Sequence, residues 1–98
     1  MSSPHPYTVA LRDLSELPPH RRAAAEATYA RALERQLGGP EGVAGTLAAV
    51  QRLQRRAASG ADAAALIHRW ARAVSVARRI ALRGLGRVEA VFVVVRTP

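Results

Sequence analysis

Residues 62–83, DAAALIHRWARAVSVARRIALR, decide how this chain is read. At about 100° per residue, Ala63, Leu66, Ile67, Trp70, Ala73, Val74, Ala77, Ile80 and Ala81 gather on one side of a helix. His68, Arg69, Arg72, Ser75, Arg79 and Arg83 gather on the other, with Arg78 at a flank. The turn Ser59-Gly60-Ala61 precedes this helix, Asp62 suits its N-cap or first turn, and Gly84 and Gly86 stop it after about Arg83. An amphipathic helix of this length needs apolar cover, and the rest of the chain must supply it.

Immediately upstream the same pattern recurs on a smaller scale. Val43, Leu47, Val50, Leu53 and Ala57 share a face, and Arg52, Arg55 and Arg56 lie away from it. Pro40 and Glu41 open this helix, because proline is preset for a first turn and a carboxylate favours the positive end of the helix dipole. It is expected to end near Ala58. An earlier helix spans about Pro19 to Leu37, opened by Pro18 and Pro19 and closed by Gly38 and Gly39.

The two ends of the chain read as strands. From Tyr7 to Leu14, Tyr7, Val9 and Leu11 alternate with Thr8, Ala10 and Arg12, the period of two of a half-buried strand. Asp13, Ser15 and the two prolines break it. Residues Val88 to Val95 are rich in β-branched valine and apolar on both faces, Val88, Ala90, Phe92 and Val94 opposing Val91, Val93 and Val95, so both faces call for cover.

The expected architecture is therefore α+β and predominantly helical: β-α-α-α-β, three helices between two short terminal strands. If each element reverses direction, the strands run parallel, joined by a long right-handed crossover. Ninety-eight residues allow one domain, residues 1–98, with residues 1–6 expected as a disordered tail. Of 48 hydrophobic residues 21 are alanine, so the composition predicts closely spaced helices around a thin core. A two-stranded ribbon is marginal in water. Pairing of the last strand with another chain, through Val91, Phe92, Val93 and Val95, is thus expected to build a homodimer. The competing reading makes that strand part of the domain's own core.

Charge is unevenly spread. Residues 1–48 carry five arginines against five carboxylates, whereas residues 49–98 carry ten arginines against Asp62 and Glu89, which accounts for the whole net charge of +8. Every basic side chain is arginine, which in itself reflects GC-rich coding as readily as selection for guanidinium chemistry. Antiparallel packing of the second and third helices on their apolar stripes would leave both arginine sets outside one hairpin. The candidate contact residues are Arg52, Arg55, Arg56, His68, Arg69, Arg72, Arg79 and Arg83. Guanidinium groups meet phosphate oxygens in a planar, two-point way, so this surface suits nucleic-acid backbone. With so few carboxylates nearby, the arginines cannot neutralise one another through i,i+4 pairs. Docking onto an acidic protein, as an adaptor or inhibitor assembling through the C-terminal strand, is the alternative. An ordinary solvated helix face is the third reading.

Sequence-specific reading of DNA is disfavoured. A helix-turn-helix unit needs apolar residues before its turn and base-reading polar groups early in its second helix. Here Arg55, Arg56 and Ser59 precede Gly60, and Ala63, Ala64 and Ala65 follow Asp62. Aromatic platforms for single strands are scarce, since Trp70 lies on the apolar stripe and only Tyr7, Tyr29 and Phe92 remain.

Several chemistries find no support. Cysteine is absent, which excludes disulfides, thiolate metal sites and a cysteine nucleophile. His5, His20 and His68 lack metal-ligand spacing, and Gly38, Gly39, Gly42 and Gly45 lack a phosphate-loop pattern, reading instead as caps and turns. No cofactor, no metal and no enzymatic role is expected. Glu26 alone stands out among the acids, on a stripe with Ala23, Tyr29, Ala30, Leu33 and Leu37, where it is expected at a wet margin. No apolar run reaches the roughly 18 residues of a membrane span, and Met1 to Tyr7 carries neither the charged nor the apolar region expected of a leader. The expectation is a non-enzymatic accessory protein of the bacterial cytoplasm.

Overall fold

In a computed structural model the chain is described over residues 6–13, 17–83 and 91–97, with backbone alone for residue 13 and residues 91–94. Five elements follow in the expected β-α-α-α-β order: β1 (Thr8–Asp13), α1 (Pro19–Leu37), α2 (Gly39–Arg55), α3 (Ala61–Leu82) and β2 (Val91–Arg96). The expected tail, apart from Pro6, lies outside the described residues. So do Leu14, Val88 to Ala90 and the expected stops Gly84 and Gly86.

Proline and glycine set the helix limits. The Pro18 carbonyl accepts the N–H groups of Arg21 and Arg22 at 3.0 Å each, and Pro19 begins α1 where no backbone donor is needed. α1 ends as Gly38 turns to φ +85° and donates its N–H to the Glu34 carbonyl at 2.9 Å. Gly38 also precedes the first residue of α2, so the two helices meet at a one-residue corner. Gly42 is what lets them meet. A Cβ there would overlap the Leu37 carbonyl oxygen, so Gly42 is neither a cap nor a turn but a close approach of two backbones.

α2 stops three residues short of the expected Ala58, because Ala57 takes the left-handed conformation at φ +49°. Ala58 N–H reaches the Leu53 carbonyl at 3.0 Å and Ala57 N–H the Gln54 carbonyl at 3.2 Å, the paired bonds of a Schellman end. α3 starts after Gly60, with Asp62 in its first turn.

The core is built on α1. Tyr29, Leu33 and Leu37 are buried together with Tyr7, Val43 and the α3 residues Ala73, Ala77 and Ala81. Every buried residue of α3 is alanine: Ala63, Ala73, Ala77 and Ala81. Each of these methyl groups contributes only about 0.8 kcal/mol of transfer energy, so the helices gain mainly by approaching closely enough for Tyr29, Leu33 and Leu37 to fill the space. Trp70 and Val74 are partly buried against the same cluster.

Two expectations about arrangement are corrected. α3 packs chiefly on α1 and only lightly on α2, so α2 and α3 do not form the expected hairpin. The alanine stripe finds its large apolar complement on α1. The strands, expected parallel, are antiparallel, with Thr8 opposite Arg96, Val9 opposite Val95 and Leu11 opposite Val93. Ala25, near the start of α1, clusters with Leu82 at the end of α3, which makes those helices antiparallel. β1 leads into α1 and β2 follows α3, at the same end of that pair, so the strands oppose each other. α2 links the pair without adding a reversal.

Val9 and Val95 pack against the core from one face of the sheet. Thr8, Arg12 and Arg96 are exposed on the other. Among the described residues, helices cover only the face that carries Val9 and Val95.

Candidate nucleic-acid interface

All eight candidate contact residues are exposed: Arg52, Arg55 and Arg56 at the end of α2, His68, Arg69, Arg72 and Arg79 along α3, and Arg83 just beyond it. The spacing explains why. His68, Arg72, Ser75, Arg79 and Arg83 step by four, three, four and four residues, which holds them within roughly a quarter of the helix circumference. That row lies opposite Ala73, Ala77 and Ala81, the residues pressed onto α1. Burying the alanine stripe therefore turns the row to solvent. From His68 to Arg83 it extends about 22 Å at 1.5 Å per residue.

The α2 set follows the same logic, since Val43, Leu47 and Val50 are buried and Arg52 lies across the helix from them. Arg52 and Arg55 fall in the last turn, where cations also complement the helix dipole. Because α2 and α3 are not a tight hairpin, the sequence-based continuous surface becomes two sets joined through the turn at residues 56–60.

The fate of the carboxylates matters as much as the arginines. Glu26 is partly exposed, at the wet margin expected of it, and accepts the Leu11 backbone N–H at 2.7 Å. Eight residues on, the Glu34 carboxylate stands beside the Tyr7 hydroxyl, which donates to the Ala30 carbonyl at 3.4 Å. Burial, reinforced by the neighbouring Glu34 carboxylate, pushes the Tyr7 hydroxyl well above its ordinary pKa. One acid of α1 thus holds β1 itself, and a second stands beside Tyr7, the residue that leads into it. None of the eight candidate side chains forms an ion pair with a described residue.

Sequence reading missed Tyr7 and Glu34 as fastenings. Their positions on the apolar alternation and on the Glu26 stripe were the available signal. Tyr29 is fully buried, and its hydroxyl has no hydrogen-bond partner among the described residues. Burial pushes that group up to about 12, against the opposing pull of the Arg78 charge.

An open groove between β1 and α1 is lined by Tyr7, Thr8, Val9, Glu26, Ala27 and Ala30. It brings neither a histidine nor an arginine to Glu26. Among the described residues no group of three or more His, Asp or Glu side chains is placed to hold a metal ion, and no helix is long and apolar enough to cross a membrane. The strand-pairing candidates Val91, Phe92, Val93 and Val95 all lie in β2, where Val95 is partly buried against the core. No protein-family model, curated protein or solved structure shows significant similarity to the chain.

Proposed function

We propose that the chain binds the phosphate backbone of nucleic acid through the exposed row His68, Arg72, Ser75, Arg79 and Arg83, extended by Arg69 and by Arg52, Arg55 and Arg56, and that it acts by binding alone. One observation carries this reading: the row is fully outward and has no described carboxylate paired to it. A solvated face normally interleaves acids with its bases, whereas here the nearest acids in sequence, Asp62 and Glu89, stand six residues before His68 and six residues after Arg83. Phosphate contacts position a protein without reading sequence, which fits a helix that offers guanidinium groups and lacks base-reading amides. The cytoplasm is where such a polyanion would be met.

Docking onto an acidic protein is the second reading, and Ile80 favours it. It is 37% exposed beside Arg79 and close to Arg83, an apolar neighbour that a protein partner would use and a phosphate chain would not. Binding to random duplex DNA and to RNA, followed by fluorescence anisotropy across salt, separates the two. Engagement of four or five phosphates gives a log–log slope of roughly −4. Absence of binding to either polymer at low salt would discard the nucleic-acid reading.

A further inference from the structure

The two edges of the sheet are not equivalent. The Leu11 N–H turns to Glu26 rather than to β2. In an antiparallel ladder both backbone groups of a residue point the same way and alternate along the strand, so Thr8, Ala10 and Arg12 bond across to Arg96, Val94 and Phe92. By the same alternation the N–H and C=O groups of Val91, Val93 and Val95 face away from β1. β2 has no second strand neighbour among the described residues. One edge of the sheet is therefore fastened to α1 by a carboxylate, and the other presents three donor–acceptor residues with no strand partner among the described residues.

We propose that this open edge pairs with β2 of a second copy, antiparallel about a two-fold axis, to give a four-stranded sheet in the order β1-β2-β2-β1. The strand's composition selects the occupant and the direction. VFVVVR carries a single charge, Arg96, at its end. An acidic peptide would find nothing along Val91 to Val95 to complement it, whereas a second copy offers the same β-branched run. With Val93 opposite itself, the two Arg96 residues stand about 20 Å apart, more than two screening lengths at physiological salt. Parallel pairing would place them side by side. A two-fold pairing closes on itself, so it ends at two subunits instead of propagating. It also turns a marginal two-stranded ribbon into a sheet of ordinary width and duplicates the arginine row.

The test uses the intact chain without any polyanion, so its outcome is independent of nucleic-acid binding. Sedimentation equilibrium from micromolar to millimolar concentration should show the mass rise from 10.5 kDa to twice that value. In the dimer, amide exchange at Val91, Val93 and Val95 should slow at least tenfold relative to the dilute chain, with Phe92, Val94 and Arg96 protected at both concentrations. Val93→Pro removes an outward donor while sparing the ladder to β1. It should stay at 10.5 kDa with an unchanged helical circular dichroism signal. A mass of 10.5 kDa at every concentration overturns the proposal. So does a folded Val93→Pro dimer, or a wild-type dimer in which Val91, Val93 and Val95 still exchange as open amides. If the proline variant unfolds, the exchange pattern of the unmodified chain decides alone.

Discussion

The backbone N–H of Leu11 meets Glu26 Oε2 at 2.7 Å, so the outer edge of β1 is held by a carboxylate fifteen residues further along the chain. A hydrogen bond to an ionised acceptor contributes about 1.5–3 kcal/mol, and leaving the buried strand's donor unmet adds a cost. Glu26→Ala should lower the unfolding free energy by about 2 kcal/mol in a urea titration, and Glu26→Gln, which keeps an acceptor oxygen, by less than half of that. Equal losses from the two variants would mean that the side chain matters for its bulk and not for its bond to Leu11.

The corner and the end of α2 give a pair of substitutions with opposite signs. Gly42→Ala forces a methyl group onto the Leu37 carbonyl and should cost about 2 kcal/mol. Ala57→Gly relieves a left-handed alanine and should add about 1 kcal/mol. For a domain of this size each kilocalorie moves the thermal midpoint by about 4–8 °C, so the two melting curves should separate clearly from the parent on either side.

Buried tyrosines set the alkaline limit. Both hydroxyls have folded pKa values raised above 10, so the unfolded state loses its protons first and binds fewer of them as pH rises. Stability supplied by the neutral hydroxyls is complete below about pH 10 and declines above it, for Tyr29 until about pH 12. Because the Tyr29 hydroxyl is buried without a partner among the described residues, Tyr29→Phe should be neutral or stabilising by up to about 1 kcal/mol at pH 7, and should soften the alkaline decline. Denaturant melts at pH 8, 10 and 11.5 check both points; a stability that stays level across them would contradict the assignment.

Arg72 and Arg79 sit at the middle of the exposed row, two turns apart. Replacing both by alanine should reduce the salt slope for DNA or RNA by about two and leave the melting temperature within a few degrees of the parent. Alanine at Arg21 and Arg31, exposed on α1, serves as a charge-matched control that should leave the slope nearly unchanged. If both double variants weaken binding alike, net charge governs the interaction and the row has no special part.

Local punctuation made most of the elements readable. Pro18, Pro19 and Gly38 confine α1 to Pro19–Leu37, the limits read from the sequence, because those residues act on their own backbone. The alternation of Tyr7, Val9 and Leu11 likewise placed β1 with its correct face inward. Strand direction was not readable in this way. It depends on α3 choosing α1 over α2, which is decided by how Ala73, Ala77 and Ala81 fit Tyr29, Leu33 and Leu37 in three dimensions. The end of α2 at Arg55 turned on a left-handed alanine, a state that sequence propensity assigns to glycine. Of the candidate site, outward exposure followed directly from helical period, whereas the bond of Glu26 to Leu11 and the approach of Glu34 to Tyr7 are long-range pairings that no spacing rule reveals.

The alanine seam divides α3 into halves with different freedom to evolve. At Ala63, Ala73, Ala77 and Ala81 nearly every replacement is larger and would wedge the helix off its neighbours, while glycine would loosen the helix itself. On the opposite side His68, Arg72, Ser75, Arg79 and Arg83 are exposed, and a change there removes no cover from the described core. The half that supports the scaffold is frozen at the smallest workable side chain, and the half that meets the outside world is free to drift without endangering the fold.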